Sequence, residues 1–358
     1  MARRSQGYVF SSTYYRKRKS PIPKILLSLI LLLAAAFFLL NYISTHDLEY
    51  VRQSVTIPNL PEELEGFAIL QLSDLQGAED EGMVRKIASL TSGKSYSCVV
   101  FTGDMVGRGS TEMLGKIAAL FPEQTPKLLI CGDEDPAYLD TSPHRSLSAY
   151  ADWAESVRGY GITILDEPYL FTRGKNGRAR LWIVPEELYG MDLQGYERTS
   201  RNQAALQSEE QSSEAAARRR VWQYEAERMQ RVQAAVADMK DTDIQIVLTH
   251  VPVTEDYART MEDWHGKDEI FSLRRVSLIL AGHYVAGQWR LPGKGAIYVP
   301  ERGYFPGDEG LCGFNYPGGI MQYISPGMGT SSIYQGMFGR LFNAPVITSL
   351  ELTGKMKN

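Results

Sequence analysis

The chain has 358 residues, 44% of them hydrophobic and 22% charged, with a formal net charge of −4 at pH 7. This is the composition of a globular protein with a sizeable core, and its acidic balance excludes the basic surface a nucleic-acid partner requires. Three cysteines without metal-type spacing exclude a disulfide framework and a zinc ribbon, and Cys98, Cys131 and Cys312 read as small hydrophobes.

Residues 1–24 hold seven Lys or Arg and no acid. Residues 25–43 are almost wholly apolar and long enough to cross a bilayer as a helix. The long run, the long basic stretch before it and the lack of a small-x-small site directly after it favour an uncleaved anchor over a signal peptide. Basic flanks stay in the cytoplasm. The expectation is a single-pass membrane protein with a cytoplasmic N-terminus and one extracytoplasmic domain over residues 50–352.

Residues 50–57 alternate and read as an edge strand. Five short apolar runs follow, each ending in Asp or His. They are 67–72 before Asp74, 98–101 before Asp104, 127–131 before Asp133, 244–248 before His250 and 278–281 before His283. Such runs read as strands buried on both faces. Amphipathic segments at 81–90 and 112–121 separate the first three, the pattern of a parallel βαβ sheet. A side chain just past a strand's carboxyl end stands where open α/β sheets bind ligands.

Further along, 147–157 reads as a helix, and 162–165, 169–172 and 179–184 as short strands. Residues 197–240 read as an insertion: one long amphipathic helix, packed at its C-terminal end and solvated at the other. Its run Arg218, Arg219, Arg220 reads as a solvated face, with anionic lipid or a protein partner as the alternative. Residues 255–264 read as a helix, 289–299 as a hairpin, 303–319 as a glycine-rich loop, and 321–325 and 346–352 as closing strands.

The five strand ends, in this order, resemble the calcineurin-like metallophosphoesterases, most closely their membrane-anchored bacterial subgroup. Family members read D-x-H, G-D-x-x-D, G-N-H-D/E, a lone His before x-P, and G-H-x-H. Here the counterparts are Asp74-Leu75-Gln76, Gly103-Asp104-Met105-Val106-Gly107, Gly132-Asp133-Glu134-Asp135, His250-Val251-Pro252 and Gly282-His283-Tyr284-Val285. The resemblance spans about residues 50–352 without the insertion. It implies an α/β fold, a four-layer α-β-β-α sandwich preceded by one N-terminal transmembrane helix.

It also implies metal-dependent phosphoester hydrolysis. One of the family's two metal positions maps to Asp74, Gln76, Asp104 and Val285, where two ligands are gone. The other maps to Asp104, Asp133, His250 and His283, a complete set that suits Zn²⁺, Mn²⁺ or Fe²⁺. One divalent metal ion is therefore expected, with two as the alternative. Gln76 reads as a polar residue without a ligand role, and Asp74 as either a ligand or a helix cap. Glu134 replaces the family's leaving-group histidine and is the candidate acid. Arg108 is the candidate phosphate contact. The expected function is a phosphoesterase acting on a phosphorylated small molecule or a lipid-linked substrate. The alternative is a relative without turnover that binds a metal or phosphorylated ligand, or scaffolds a partner.

Overall fold

The computed structural model describes residues 20–77, 80–107, 110–143, 148–264, 266 and 269–355. The chain divides into two units, Met1–Leu40 and Asn41–Asn358. Helix α1 (Ile22–His46) begins in the first unit and ends in the second. Leucine and alanine favour it, and Pro23 lies in its first turn, where a missing N–H costs little. By length and composition it can cross a membrane, and its leucines and isoleucines are exposed.

In chain order the second unit runs β1 (Glu49–Thr56), β2 (Ala68–Leu72), α2 (Glu81–Thr91), β3 (Cys98–Thr102), α3 (Glu112–Ala118), β4 (Lys127–Ile130), α4 (Asp152–Gly159) and β5 (Thr163–Ile164). Then come β6 (Tyr169–Arg173), β7 (Ala179–Pro185), α5 (Leu193–Leu206), α6 (Ser213–Asp238), β8 (Ile244–Leu248), α7 (Glu255–Trp264) and β9 (Val276–Ala281). Two short pairs follow, β10 (Arg290–Leu291) with β11 (Gly295–Ala296) and β12 (Tyr298–Val299) with β13 (Gly303–Tyr304). The chain closes with β14 (Gly313–Asn315), β15 (Gln322–Ile324) and β16 (Val346–Thr353).

Two six-stranded sheets result, in the orders β1-β16-β2-β3-β4-β5 and β14-β15-β9-β8-β7-β6. Strands β2, β3 and β4 pair in parallel, as do β7, β8 and β9. Side chains alternate across each strand. Ile69, Val100 and Leu128 point inward and meet Ile183, Ile246 and Leu278 of the second sheet. Leu70, Val99 and Leu129 point outward, against Ile87, Ile117 and Val157 of α2, α3 and α4. On the far side, Met229, Val232 and Met261 of α6 and α7 cover Val184, Val247 and Ile279. The architecture is the four-layer α-β-β-α sandwich. Burial on both faces is why the central strands carry unbroken apolar runs.

Three local readings are corrected. The glycine-rich segment 303–319 is not all loop: it holds β13 and β14, and β14 pairs with β15 at the edge of the second sheet. The segment 197–240 is not one helix but part of an antiparallel pair, α5 and α6. Arg218 Nε donates to Gln207 Oε1 (2.8 Å) near the turn, and Gln233 Nε2 to the Leu193 carbonyl (3.3 Å) at the other end. The polar residues 208–212 break the helix, because the Ser212 hydroxyl accepts from Ala215 N (3.0 Å) and caps a new one. Arg218, Arg219 and Arg220 are half-buried rather than solvated. The helix expected over 147–157 starts at Asp152, since Tyr150 is held in a bridge to Leu139; Leu147 lies outside the described residues.

Candidate metal centre

The parallel strands deliver their carboxyl ends to one place. There the backbone turns through the left-handed region at Asp74 (φ 55°), Asp104 (φ 52°) and His283 (φ 77°). Non-glycine residues seldom adopt it, and such strain concentrates at functional sites. Two glycines permit the close approach. A Cβ on Gly103 would overlap the His250 ring, and one on Gly132 would overlap Asp104.

Asp104 is buried at the middle. Its Oδ1 accepts from Glu134 N (2.9 Å) and its Oδ2 from Gln76 Nε2 (2.8 Å), and Oδ2 lies 3.2 Å from His250 Nε2. His250 Nδ1 donates to the Thr102 carbonyl (2.9 Å), which turns Nε2 toward the carboxylates. His283 Nδ1 lies 3.3 Å from His250 Nε2 and 3.4 Å from Asp133 Oδ2, while its Nε2 is 3.1 Å from Glu301 Oε1. Asp74 Oδ1 accepts from His283 N (3.1 Å), but Asp74 Oδ2 is buried without a hydrogen-bond partner.

Burial pushes the Asp74 carboxyl above the usual carboxylate range, against the opposing charge of His250. Burial acts the same way on Asp104, but the hydrogen bond and charge of His250 outweigh it and hold this carboxyl low. Desolvation disfavours a charged His250, yet the hydrogen bond to Asp104 and the charges of Asp74 and Asp104 raise it to about 9.

Among the described residues these groups fall into two overlapping sets joined at His250. The expected set of Asp104, Asp133, His250 and His283 is thereby divided: Asp133, His250 and His283 form one group, while Asp104 joins Asp74 and His250 in the other. Within each, the ligand atoms lie within 4.8 Å of one another. Carboxylate oxygens and imidazole nitrogens suit a divalent transition metal, and the orphaned Asp74 Oδ2 is a buried acceptor that a cation would satisfy. The residues fit such an ion. Asp74, Asp104, His250 and His283 are buried, while the Asp133 side chain is 57% exposed.

Gln76 does not stand apart from the site: its amide donates to the central carboxylate. Val285 is buried in an apolar cluster with Ala281, Ile324 and Tyr334 and offers no ligand atom. Glu134 is half-buried, and its Oε1 accepts from the Ser332 hydroxyl. With Leu75, Gln76 and part of the segment 330–337 it lines a cavity of about 490 Å³. Arg108 lies outside the described residues.

Three residues matter here to which the motifs assigned no role. The Asp135 carboxylate accepts from the backbone N–H of Met105, Val106, Gly107 and Gly132, fastening two site loops together. Glu301 orients His283. Arg340, fully buried, donates all its guanidinium hydrogens to the carbonyls of Val285, Pro326, Gly327, Gly329 and Asn343. Burial lowers its pKa to about 10. Of the three, only Asp135 carries a local signal, as the last position of the motif Gly132-Asp133-Glu134-Asp135 before a proline.

Fold and site together define an α/β protein that gathers carboxylates and imidazoles at the carboxyl ends of two facing sheets. The chain belongs to the calcineurin-like phosphoesterase family, whose sequence pattern it matches over residues 67–286, the stretch that holds all five strand ends. Among solved structures it is similar to the crystal structure of a phosphopantetheinyl hydrolase from Mycobacterium tuberculosis. Identity is 14%, coverage 74% of this chain and 91% of that one, and the TM-score 0.37. No curated protein matches the sequence.

Proposed function

We propose that this chain is a divalent-metal-dependent phosphoesterase, anchored by α1, with its domain on the side of the membrane opposite the basic N-terminus. The observation that carries the metal reading is the fully buried Asp74 carboxylate, one oxygen unpartnered, beside Asp104 and His250. Two buried carboxylates so close are costly without a compensating cation. His250 is the shared ligand, with Asp104 and Asp74 on one side and His283 and Asp133 on the other. One ion is favoured over two, because Gln76 sets an N–H donor against Asp104 and Val285 is apolar.

When bound, the ion supplies a Lewis acid for the phosphoryl oxygen and acidifies water. The residues do the rest. Glu301 fixes the His283 ring and the Thr102 carbonyl fixes that of His250. Gln76 and Glu134 face the cavity where an ester would lie. Glu134, the one acid among the described residues lining that cavity, is the group we assign to exchange a proton with the leaving oxygen.

The test is metal content and hydrolysis of p-nitrophenyl phosphate and bis-p-nitrophenyl phosphate by the purified full chain. One equivalent of metal with turnover, both lost in His250→Ala, is expected. Metal retained by His250→Ala overturns the ligand assignment. Metal without turnover establishes the second reading, a ligand-binding relative, which the Gln76 and Val285 replacements favour.

A further inference from the structure

We propose that residues 338–342, together with Trp289, form a second membrane contact that seats the cavity beside Gln76 and Glu134 at the level of the lipid headgroups. The proposal rests on the reading of α1 as an anchor.

The last turns of α1 grip this loop. Asn41 Nδ2 donates to the carbonyls of Phe338 (2.8 Å) and Arg340 (3.1 Å), Arg340 N donates to Thr45 Oγ1 (2.7 Å), and Phe342 N donates to Ser44 Oγ (3.0 Å). Asn41 lies near the C-terminal end of the apolar run 25–43, and Ser44 and Thr45 directly follow that run. A helix that crosses a bilayer therefore delivers this loop to the bilayer surface.

The loop is built for that surface. Phe338 and Phe342 flank buried Arg340 and are themselves 50% and 44% exposed. The Trp289 ring packs edge-on against Phe338 at 5.8 Å, and its Nε1–H bonds the Phe338 carbonyl. Tyr42, one residue past Asn41, is exposed as well. Aromatic side chains with one polar end concentrate at membrane interfaces.

The loop is also rigidly joined to the site. Residues just before it wall the cavity that Gln76 and Glu134 line from the other side. The Arg340 guanidinium holds the carbonyls of Gly327 and Gly329, and Gly329 N in turn donates to the Asp74 carbonyl (2.7 Å). A phosphate ester borne by a membrane lipid could then meet the cavity without leaving the bilayer. The substrate class that fits is a lipid-borne phosphoester.

The experiment reconstitutes the full chain into phosphatidylcholine vesicles carrying lipid brominated near the headgroup, a quencher of tryptophan. Wild type is expected to float with the vesicles and show a quenched emission component. That component should be lost in Trp289→Phe and reduced in the double variant Phe338→Ser, Phe342→Ser, with both variants still floating. Equal quenching in wild type and Trp289→Phe, with flotation intact, overturns the second contact. Failure of wild type to float overturns the anchor reading instead.

Discussion

Replacing Asp135 by asparagine tests how the site is held together. Its Oδ1 accepts from Val106 N (2.7 Å) and Gly107 N (2.9 Å), and its Oδ2 from Gly132 N (2.9 Å) and Met105 N (3.3 Å). An amide keeps the volume but turns one acceptor into a donor. Whichever way it faces, two backbone N–H groups lose their partner. Hydrogen bonds to a charged acceptor contribute ~1.5–3 kcal/mol each. Asp135 is half-buried, so the lower end applies and the expected loss is ~2–4 kcal/mol. The assay is urea unfolding of the full chain in detergent, read as a lower midpoint at unchanged slope. Met105 follows Asp104 and Gly132 precedes Asp133, so the same change lets two proposed ligands part. Metal affinity should fall by roughly 10–100-fold, as for other groups that orient ligands, measured by competition with a chromophoric chelator. A midpoint shift worth less than ~0.5 kcal/mol, with unchanged metal affinity, would refute the reasoning.

Gly132→Ala puts a methyl into Asp104, whose main chain cannot move aside. It should destabilise the chain by ~1–3 kcal/mol in the same unfolding assay and abolish metal binding; near-wild-type behaviour would show that the loops have slack. A pH prediction concerns Asp166, which lines one cavity with Asp133 and His250 and is hydrogen-bonded by Tyr224. Burial raises its carboxyl from 3.8 to about 6, partly offset by the hydrogen bond from Tyr224 and the charge of Arg228. Between these values the folded chain binds more protons than the unfolded one, so stability falls as pH rises through the window, by at most ~1.4 kcal/mol per unit. Asp166→Asn cannot titrate. Its stability relative to wild type should therefore climb between pH 4 and pH 7 and then level off, and a flat difference would be the contrary result.

The order of elements, the two-sided burial of the central strands and the Asp or His at each strand end were legible along the chain, because each is a local pattern: a short apolar run, a polar stop, a glycine. So was the apolar N-terminal helix, whose signal is length and composition. The helical pair at α5 and α6 was not, since one serine cap in a polar segment outweighed a continuous helical periodicity.

What the tertiary structure alone decided is which groups face each other. Gln76 reads as an unremarkable amide until Asp104 is found 2.8 Å away. Asp135 acts on a loop 30 residues upstream, Glu301 on a histidine 18 residues upstream, and Arg340 on a carbonyl 55 residues upstream. Periodicity reports only the neighbours of a residue along the chain. A hydrogen bond that closes a loop of tens of residues leaves no mark there, and forms because strand packing has already brought its ends together.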